Sequence, residues 1–206
     1  MFLVLGLGNP GRRYEKTRHN AGFLVVDRLA ERWRATVEDR QFKAFVGKAR
    51  ICDEFVLLVK PQTYMNLSGE AAVSLRGYYK VSNDHILVVH DDVDIPFGQV
   101  RVKRGGGHGG HNGLRDLNQR LGGGDYLRVR FGISRPPPGW DTADYVLGKW
   151  SSQESTEVDG LVDLAADAVE AVLRDGADAA MNQFNTRPRG VDADPSAGAA
   201  GAQKTA

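Results

Sequence analysis

Short apolar runs alternate with amphipathic stretches along most of the chain. MFLVLGL is a continuous apolar run closed by glycine, the pattern of a strand buried on both faces. NAGFLVVDRLAERW follows it. Phe23, Val26, Ala30 and Trp33 recur there at helical spacing, and Asn20 is placed to cap the helix. FKAFVGKARI and FVLLVK flank a Cys-Asp-Glu turn and predict a hairpin. SGEAAVSLRGYYK predicts a helix with Ser68 as its cap, and HILVVHDD a second buried strand. QVRVKR and YLRVRFGIS alternate as half-buried strands do. Between them lie a glycine-rich loop and a helical stretch, HNGLRDLNQRL. A long amphipathic helix is expected over 151–174 and a short one over 178–184. Strands alternating with helices predict an α/β layered fold, and the hairpin makes its sheet mixed. The last twenty residues, RPRGVDADPSAGAAGAQKTA, lack large apolar groups and are expected to be a disordered tail over 187–206.

A chain of 206 residues can bury one sizeable core, in one or two domains. Its formal charge is only +1, so nucleic-acid binding would have to come from a local basic face. Cys52 is the single cysteine, which excludes a disulfide within the chain and a cysteine metal cluster. No charged n-region with a cleavage site precedes the first strand, and no apolar run reaches membrane-spanning length. A reducing cytoplasm, with no membrane partner, is the expected setting.

GLGNPG, residues 6–11, matches the dinucleotide fingerprint G-x-G-x-x-G. A true fingerprint opens a helix at once and needs an acidic residue ending a second strand. Here the polar loop RRYEKTRH intervenes, and Asp27 falls inside a helix. A phosphate-binding P-loop fails as well, because Arg12 and Arg13 stand where Lys and Ser/Thr are required.

The five histidines are more informative. His19 lies just before a helix, His90 sits beside Asp91 at a strand end, and His108 and His111 lie in GGGHGGHNG. Sites in open α/β sheets form beyond the carboxyl ends of strands. Asn9, the pair Met65 and Asn66, and Asp91 all follow or end predicted strands. If those strands are parallel neighbours, they share a rim, with His19 as base and Asp91 as the carboxylate that orients it. The amides of Asn9, Asn66 and Asn112 can hold a carbonyl or a water without adding charge. No G-x-S-x-G elbow is present, so water is the expected nucleophile. Asp91, Asp92 and Asp94 could alternatively bind a divalent metal, but strand alternation turns Asp91 and Asp92 to opposite faces. Arg101 and Lys103 share one strand face, as do Arg128 and Arg130, and both pairs flank the glycine loop.

LGLGNPGRRYEKTRHNAG, PQTYMNLSG, HDDVDIPFG and GGGHGGHNGLRD, in this order, resemble the bacterial-type peptidyl-tRNA hydrolases. With RVRFGISRP and DYVLGKW, the resemblance runs from residue 2 to about Phe184. It implies one α/β domain over 1–186, with a twisted mixed sheet surrounded by helices. The implied activity is cleavage of the ester between a peptide, or an N-blocked aminoacyl group, and the 3′ end of tRNA, freeing tRNA from peptidyl-tRNA dropped by ribosomes. His19 corresponds to the catalytic histidine, Asp91 to the residue that orients it, and Asn9 to a group at the scissile bond or its oxyanion. Met65 and Asn66 would line the peptide and ester site. His111 and Asn112 would bind substrate or water, and Tyr14 would pack near the tRNA 3′ end. Lys103 and Arg130 match the family's phosphate clamp. No metal or organic cofactor is implied, and family members usually act as monomers. A non-catalytic RNA-binding relative is the rival reading; it would be expected to lack the base or its partner, whereas His19, Asp91, Asn9 and Asn112 are all present.

Overall fold

A strand with large apolar groups on both faces belongs inside a sheet, and β1 (Phe2–Gly6) lies at the centre of one. The computed structural model describes residues 1–185, so the tail expected over 187–206 lies outside the described residues. The other strands are β2 (Asp39–Gln41), β3 (Ala44–Ile51), β4 (Glu54–Pro61), β5 (Ile86–Asp92), β6 (Val100–Arg104) and β7 (Leu127–Gly132). They form one seven-stranded sheet in the order β2-β3-β4-β1-β5-β7-β6. The core strands β4, β1, β5 and β7 are parallel neighbours, and antiparallel strands finish both edges. The sheet is therefore mixed, as the hairpin predicted.

Two helical layers cover the sheet. Leu87, Val89, Val129 and Phe131 face α1 (Ala21–Arg32) and α5 (Ser152–Asp175), with α6 (Ala177–Phe184) against β6. Leu3, Leu5, Ile86 and Val88 face α2 (Ser68–Tyr79) and α3 (Asn112–Leu121). A short helix, α4 (Thr142–Leu147), follows β7. No helix among the described residues is long and apolar enough to cross a membrane.

Local expectations fail at particular residues. The polar strand β2 and the six-residue α4 carry too little periodicity to be foreseen. In α1 the buried stripe is Val25, Val26, Leu29 and Ala30, whereas Trp33 closes the helix at 36% exposure. Asn20 occupies the cap position of α1 without capping it, because its amide is engaged elsewhere. Ser68 is the first helical residue of α2, and its hydroxyl donates to the Met65 carbonyl at 2.8 Å. The Cys52 turn is as expected. Cys52 and Asp53 both take left-handed φ, as a tight hairpin needs, and burial pushes the thiol pKa up.

Candidate active site

The parallel order β4-β1-β5 brings three strand ends to one rim. Asn9 leaves β1, Met65 and Asn66 follow β4, and Asp91 lies near the end of β5. His19 enters on a single 3-10 turn, Arg18–Asn20, just ahead of α1. His111 and Asn112 stand at the start of α3. With Tyr14, Lys103 and Arg130 they line a cavity of about 1170 Å³. The condition set by the sequence, that these strands be parallel neighbours, is met.

His19 and Asp91 are both buried, at 7% and 2% exposure. His19 Nδ1 lies 2.8 Å and 3.0 Å from the two Asp91 carboxylate oxygens. An ionised carboxylate only accepts, so Nδ1 carries the proton and Nε2 keeps its lone pair. Burial opposes charge on the imidazole, but the Asp91 charge and hydrogen bond outweigh it and raise the His19 pKa. Burial likewise opposes the Asp91 charge, and the surrounding imidazoles hold that carboxyl well below its usual range.

His111 has the opposite wiring. Its Nδ1 accepts from the backbone N–H groups of Gly113 (3.1 Å) and Leu114 (3.3 Å), which caps α3. A nitrogen that accepts carries no proton, so the proton sits on Nε2 and is donated to Asp91 Oδ1 at 3.0 Å. His111 is thereby oriented as a donor to Asp91. His90 lies edge-on to it, with ring centroids 5.1 Å apart. Its Nδ1 donates to the Asp91 carbonyl at 2.7 Å, and burial together with His111 pushes its pKa down to about 3.

His19, Asp91 and His111 place donor atoms within 4.8 Å of one another, close enough to be tested as metal ligands. Their wiring does not fit a metal. The ring nitrogens facing Asp91 both carry protons, and His111 could free Nε2 only by setting Nδ1–H against two backbone N–H groups. The aspartate cluster considered from sequence is likewise divided: Asp91 turns to the histidines, Asp92 to Arg130 and Asp94 to Arg135.

Asn9 has its orientation set by the backbone. Its Oδ1 accepts from Met65 N–H at 2.7 Å, leaving the Nδ2 group as the end able to donate. Asn20 grips the main chain of Asn9 from both sides, accepting from its N–H (2.9 Å) and donating to its carbonyl (3.0 Å). Met65 packs against Gly113, where a Cβ would come within 2.6 Å of its sulfur. A larger residue here would displace the Met65 side chain from the strand-end rim.

The family model described as peptidyl-tRNA hydrolase matches residues 3–191. The chain belongs to the peptidyl-tRNA hydrolase family. The peptidyl-tRNA hydrolase of Nocardia farcinica is 51% identical to it, over 89% of this chain and 95% of that one. That of Anaeromyxobacter dehalogenans (strain 2CP-1) is 48% identical, over 93% of this chain and all of the relative. The crystal structure of peptidyl-tRNA hydrolase from Acinetobacter baumannii superposes with a TM-score of 0.84 at 40% identity, covering 90% of this chain and 94% of that one.

Within this peptidyl-tRNA hydrolase fold the basic residues separate by environment. Arg101 pairs across the β6–β7 ladder with Arg130, and Lys103 with Arg128, so all four share one face. Arg128 is 3% exposed, and its guanidinium is spent on the glycine loop, donating to the carbonyls of Gly107 (2.6 Å) and Gly106 (2.5 Å). It is a clamp for the loop and has little left for a phosphate. Arg130 binds Asp92 through Nε at 2.8 Å, so Asp92 is a paired carboxylate rather than a solvated one. Lys103 is exposed and reaches over Gly106. Asn66 and Asn112 are exposed on the cavity wall, and the Asn112 Oδ1 accepts from Arg115. Tyr14 is covered by the Arg13 guanidinium, 4.4 Å above its ring.

Sequence reasoning missed three residues that build the site. Asn20 was assigned to a helix cap, and Arg18 and Glu154 received no role. Asn20 and Arg18 flank His19, and that adjacency was the one available signal. Glu154 lies 136 residues from Arg18, a separation that no local pattern bridges.

Proposed function

We propose that this chain hydrolyses the ester between a peptide, or an N-blocked aminoacyl group, and the 3′ end of tRNA, using a water activated by His19. The observation that carries the reading is the buried His19–Asp91 pair, with its unprotonated Nε2, in the cavity at the strand-end rim. Nε2 takes a proton from water as the oxygen attacks the ester carbonyl. The Asp91 carboxylate on Nδ1 stabilises the imidazolium that forms. Negative charge then develops on the carbonyl oxygen, where the free Nδ2 group of Asn9 is the side-chain donor set in place for it. Collapse of the tetrahedral intermediate expels the ribose oxygen. The proton held by His19 passes to that oxygen, giving free tRNA and a peptide carboxylic acid.

Met65, Asn66 and Asn112 line the ester and peptide side of the cavity, and Tyr14 stands where the tRNA 3′ end enters. His111 serves them indirectly, through Asp91 and the cap of α3. Lys103 and Arg130 are the phosphate clamp. Residues 1–186 form the catalytic domain. The protein is proposed to act as a monomer in the cytoplasm.

The test is release of N-blocked aminoacyl groups from tRNA by purified protein and by His19→Ala. The variant is expected to lose ~10²–10⁴-fold in kcat, the range typical for a general base. Near-normal turnover by the variant would remove His19 from the mechanism, and an inert parent protein would favour the non-catalytic RNA-binding reading.

A further inference from the structure

We infer that Arg18 and Glu154 form a positioning clamp that sets the aim of His19, so that the N-terminal cap of α5 and the catalytic turn depend on one carboxylate. The inference rests on the assignment of His19 as the base.

His19 receives its ring orientation from Asp91, but its backbone lies on a three-residue turn without a side-chain cap. Two neighbours hold that turn. Asn20 fixes it to Asn9 on the β1 side. Arg18 fixes it to the opposite wall, formed by residues 145–154. The Arg18 N–H donates to the Gly148 carbonyl at 3.1 Å, and Thr17 bridges to Lys149. Arg18 is 8% exposed, and all three of its guanidinium nitrogens donate hydrogen bonds. Nε donates to Glu154 Oε1 at 3.2 Å and Nη2 to Oε2 at 2.6 Å, a two-pronged ion pair. Nη1 donates to the carbonyls of Lys149 (2.9 Å) and Tyr145 (3.3 Å). The plane also lies over the Tyr145 ring, 4.3 Å from its centroid.

Glu154 has a second task. Its Oε2 accepts from Ser151 N–H at 2.7 Å, and Ser151 Oγ accepts from Glu154 N–H at 3.2 Å, completing a capping box. The carboxylate that starts α5 is thus the one that receives Arg18. A part-buried ion pair is weak grounds for stability, since apolar residues of like volume often do as well. Its distinguishing property is geometry: a rigid fork fixes both partners in angle as well as distance. Misplacing a catalytic group by about 1 Å can cost ~10²-fold in rate.

The two tasks of Glu154 can be separated. Glu154→Gln keeps a side chain suited to the capping box and removes the charge that holds Arg18. Ser151→Ala weakens the cap and leaves the ion pair intact. Arg18→Lys keeps the charge and removes the fork. Each protein is assayed for kcat and KM with peptidyl-tRNA, for melting temperature and for the NMR titration of His19, beside His19→Ala. Glu154→Gln and Arg18→Lys are expected to lower kcat about ten- to hundredfold at nearly constant KM, and to displace the His19 pKa as its contact with Asp91 loosens. Ser151→Ala is expected to melt earlier with kcat and the His19 titration unchanged. Parent-like kcat and His19 pKa in Glu154→Gln, while His19→Ala is inactive, would overturn the clamp and leave the base assignment standing. Activity in His19→Ala would instead remove the base assignment and the clamp with it. If kcat falls only in step with melting temperature, Ser151→Ala included, the pair supports the fold and the inference fails.

Discussion

Asp91 accepts from two imidazoles at once, and the two are not equivalent. His111 has both ring nitrogens engaged, one by Asp91 and the other by backbone groups, whereas His19 has an open Nε2 on the cavity side. The pair that faces the open nitrogen is His19 with Asp91, and both pKa values are displaced. The folded-state pKa of His19 is raised, so its protonated form stabilises the protein below the ordinary histidine range. That stabilisation is lost as pH rises through the folded pKa. The Asp91 pKa is lowered, so its stabilisation is present above the ordinary carboxylate range and fades as pH falls. Replacing Asp91 by Asn removes the charge that raises His19 and leaves the burial that lowers it. The His19 pKa is then expected to drop below the usual 6.5. The acid limb of the kcat/KM profile should move to lower pH with it, because the base becomes free at lower pH. The plateau of kcat should fall by ~10-fold or more, as the imidazolium loses its counter-charge. NMR titration of His19 in both proteins, beside the pH–rate profiles, measures this. An unshifted His19 pKa would mean that the carboxylate does not govern the base.

At the scale of elements, the close seating of α1 on β1 decides where the turn bearing His19 lies. A Cβ on Gly22 would come within 2.3 Å of Leu7 N and 2.4 Å of the Val89 carbonyl oxygen, both main-chain atoms that cannot step aside. Gly22→Ala is expected to destabilise the protein by ~1–3 kcal/mol, the usual cost of overpacking a tight core, and to impair turnover because His19 lies three residues upstream. Denaturant unfolding with a parallel assay measures both effects; unchanged stability and turnover would refute this seating. The same contact accounts for the misleading glycine fingerprint. Gly6 faces Gly22 and Val26, and Gly8 faces the Phe23 ring, so those glycines admit a helix, not a pyrophosphate. The long elements were legible because burial writes its period into sequence: the strands led by Phe2 and Ile86 and the helix from Ser152 stand close to where the pattern put them. Elements that derive stability from neighbours were not legible. β2 exists because β3 pairs with it, and α4 because Asp141 caps it while Tyr145 and Val146 are buried. The site followed the same division. The strand-end groups Asn9, Met65 and Asp91 could be gathered by a topological rule. Hydrogen bonds across long separations, such as Asn9 to Met65 or Arg18 to Glu154, depend on packing that no window of sequence contains.

For the whole molecule, the question is how a chain of formal charge +1 holds a polyanion. The sheet answers with asymmetry. The antiparallel β6–β7 pair sets Arg101, Lys103, Arg128 and Arg130 on one face beside the glycine loop, at the end of the sheet away from β2. Local packing then divides their work. Arg128 is committed to the carbonyls of Gly106 and Gly107 and shapes the loop. Arg130 spends Nε on Asp92 and has its terminal N–H groups to offer, and Lys103 is exposed. Both line the cavity that holds His19, so a phosphate bound by the proposed clamp would keep the tRNA end near the proposed base. Each phosphate contact releases counterions and adds roughly −0.7 to −0.9 to the log–log salt slope of binding. Lys103→Ala combined with Arg130→Ala is therefore expected to raise KM for peptidyl-tRNA and flatten its salt dependence by about one to two units of slope. Turnover at saturation should change little, because these groups bind ground and transition states alike. Removing Arg130 also leaves the Asp92 carboxylate without its partner on the same rim, where it repels phosphate. Asp92→Asn added to the double mutant should recover part of the affinity without restoring the slope. An N-blocked aminoacyl ester of a short 3′ nucleotide fragment reaches the base without the clamp, and its hydrolysis should be nearly unaffected. Comparing both substrates across a salt series in these variants decides the matter. Equal losses on the two substrates, with the salt slope intact, would show that Lys103 and Arg130 support the cavity itself, and the clamp would have to be sought elsewhere on the basic face.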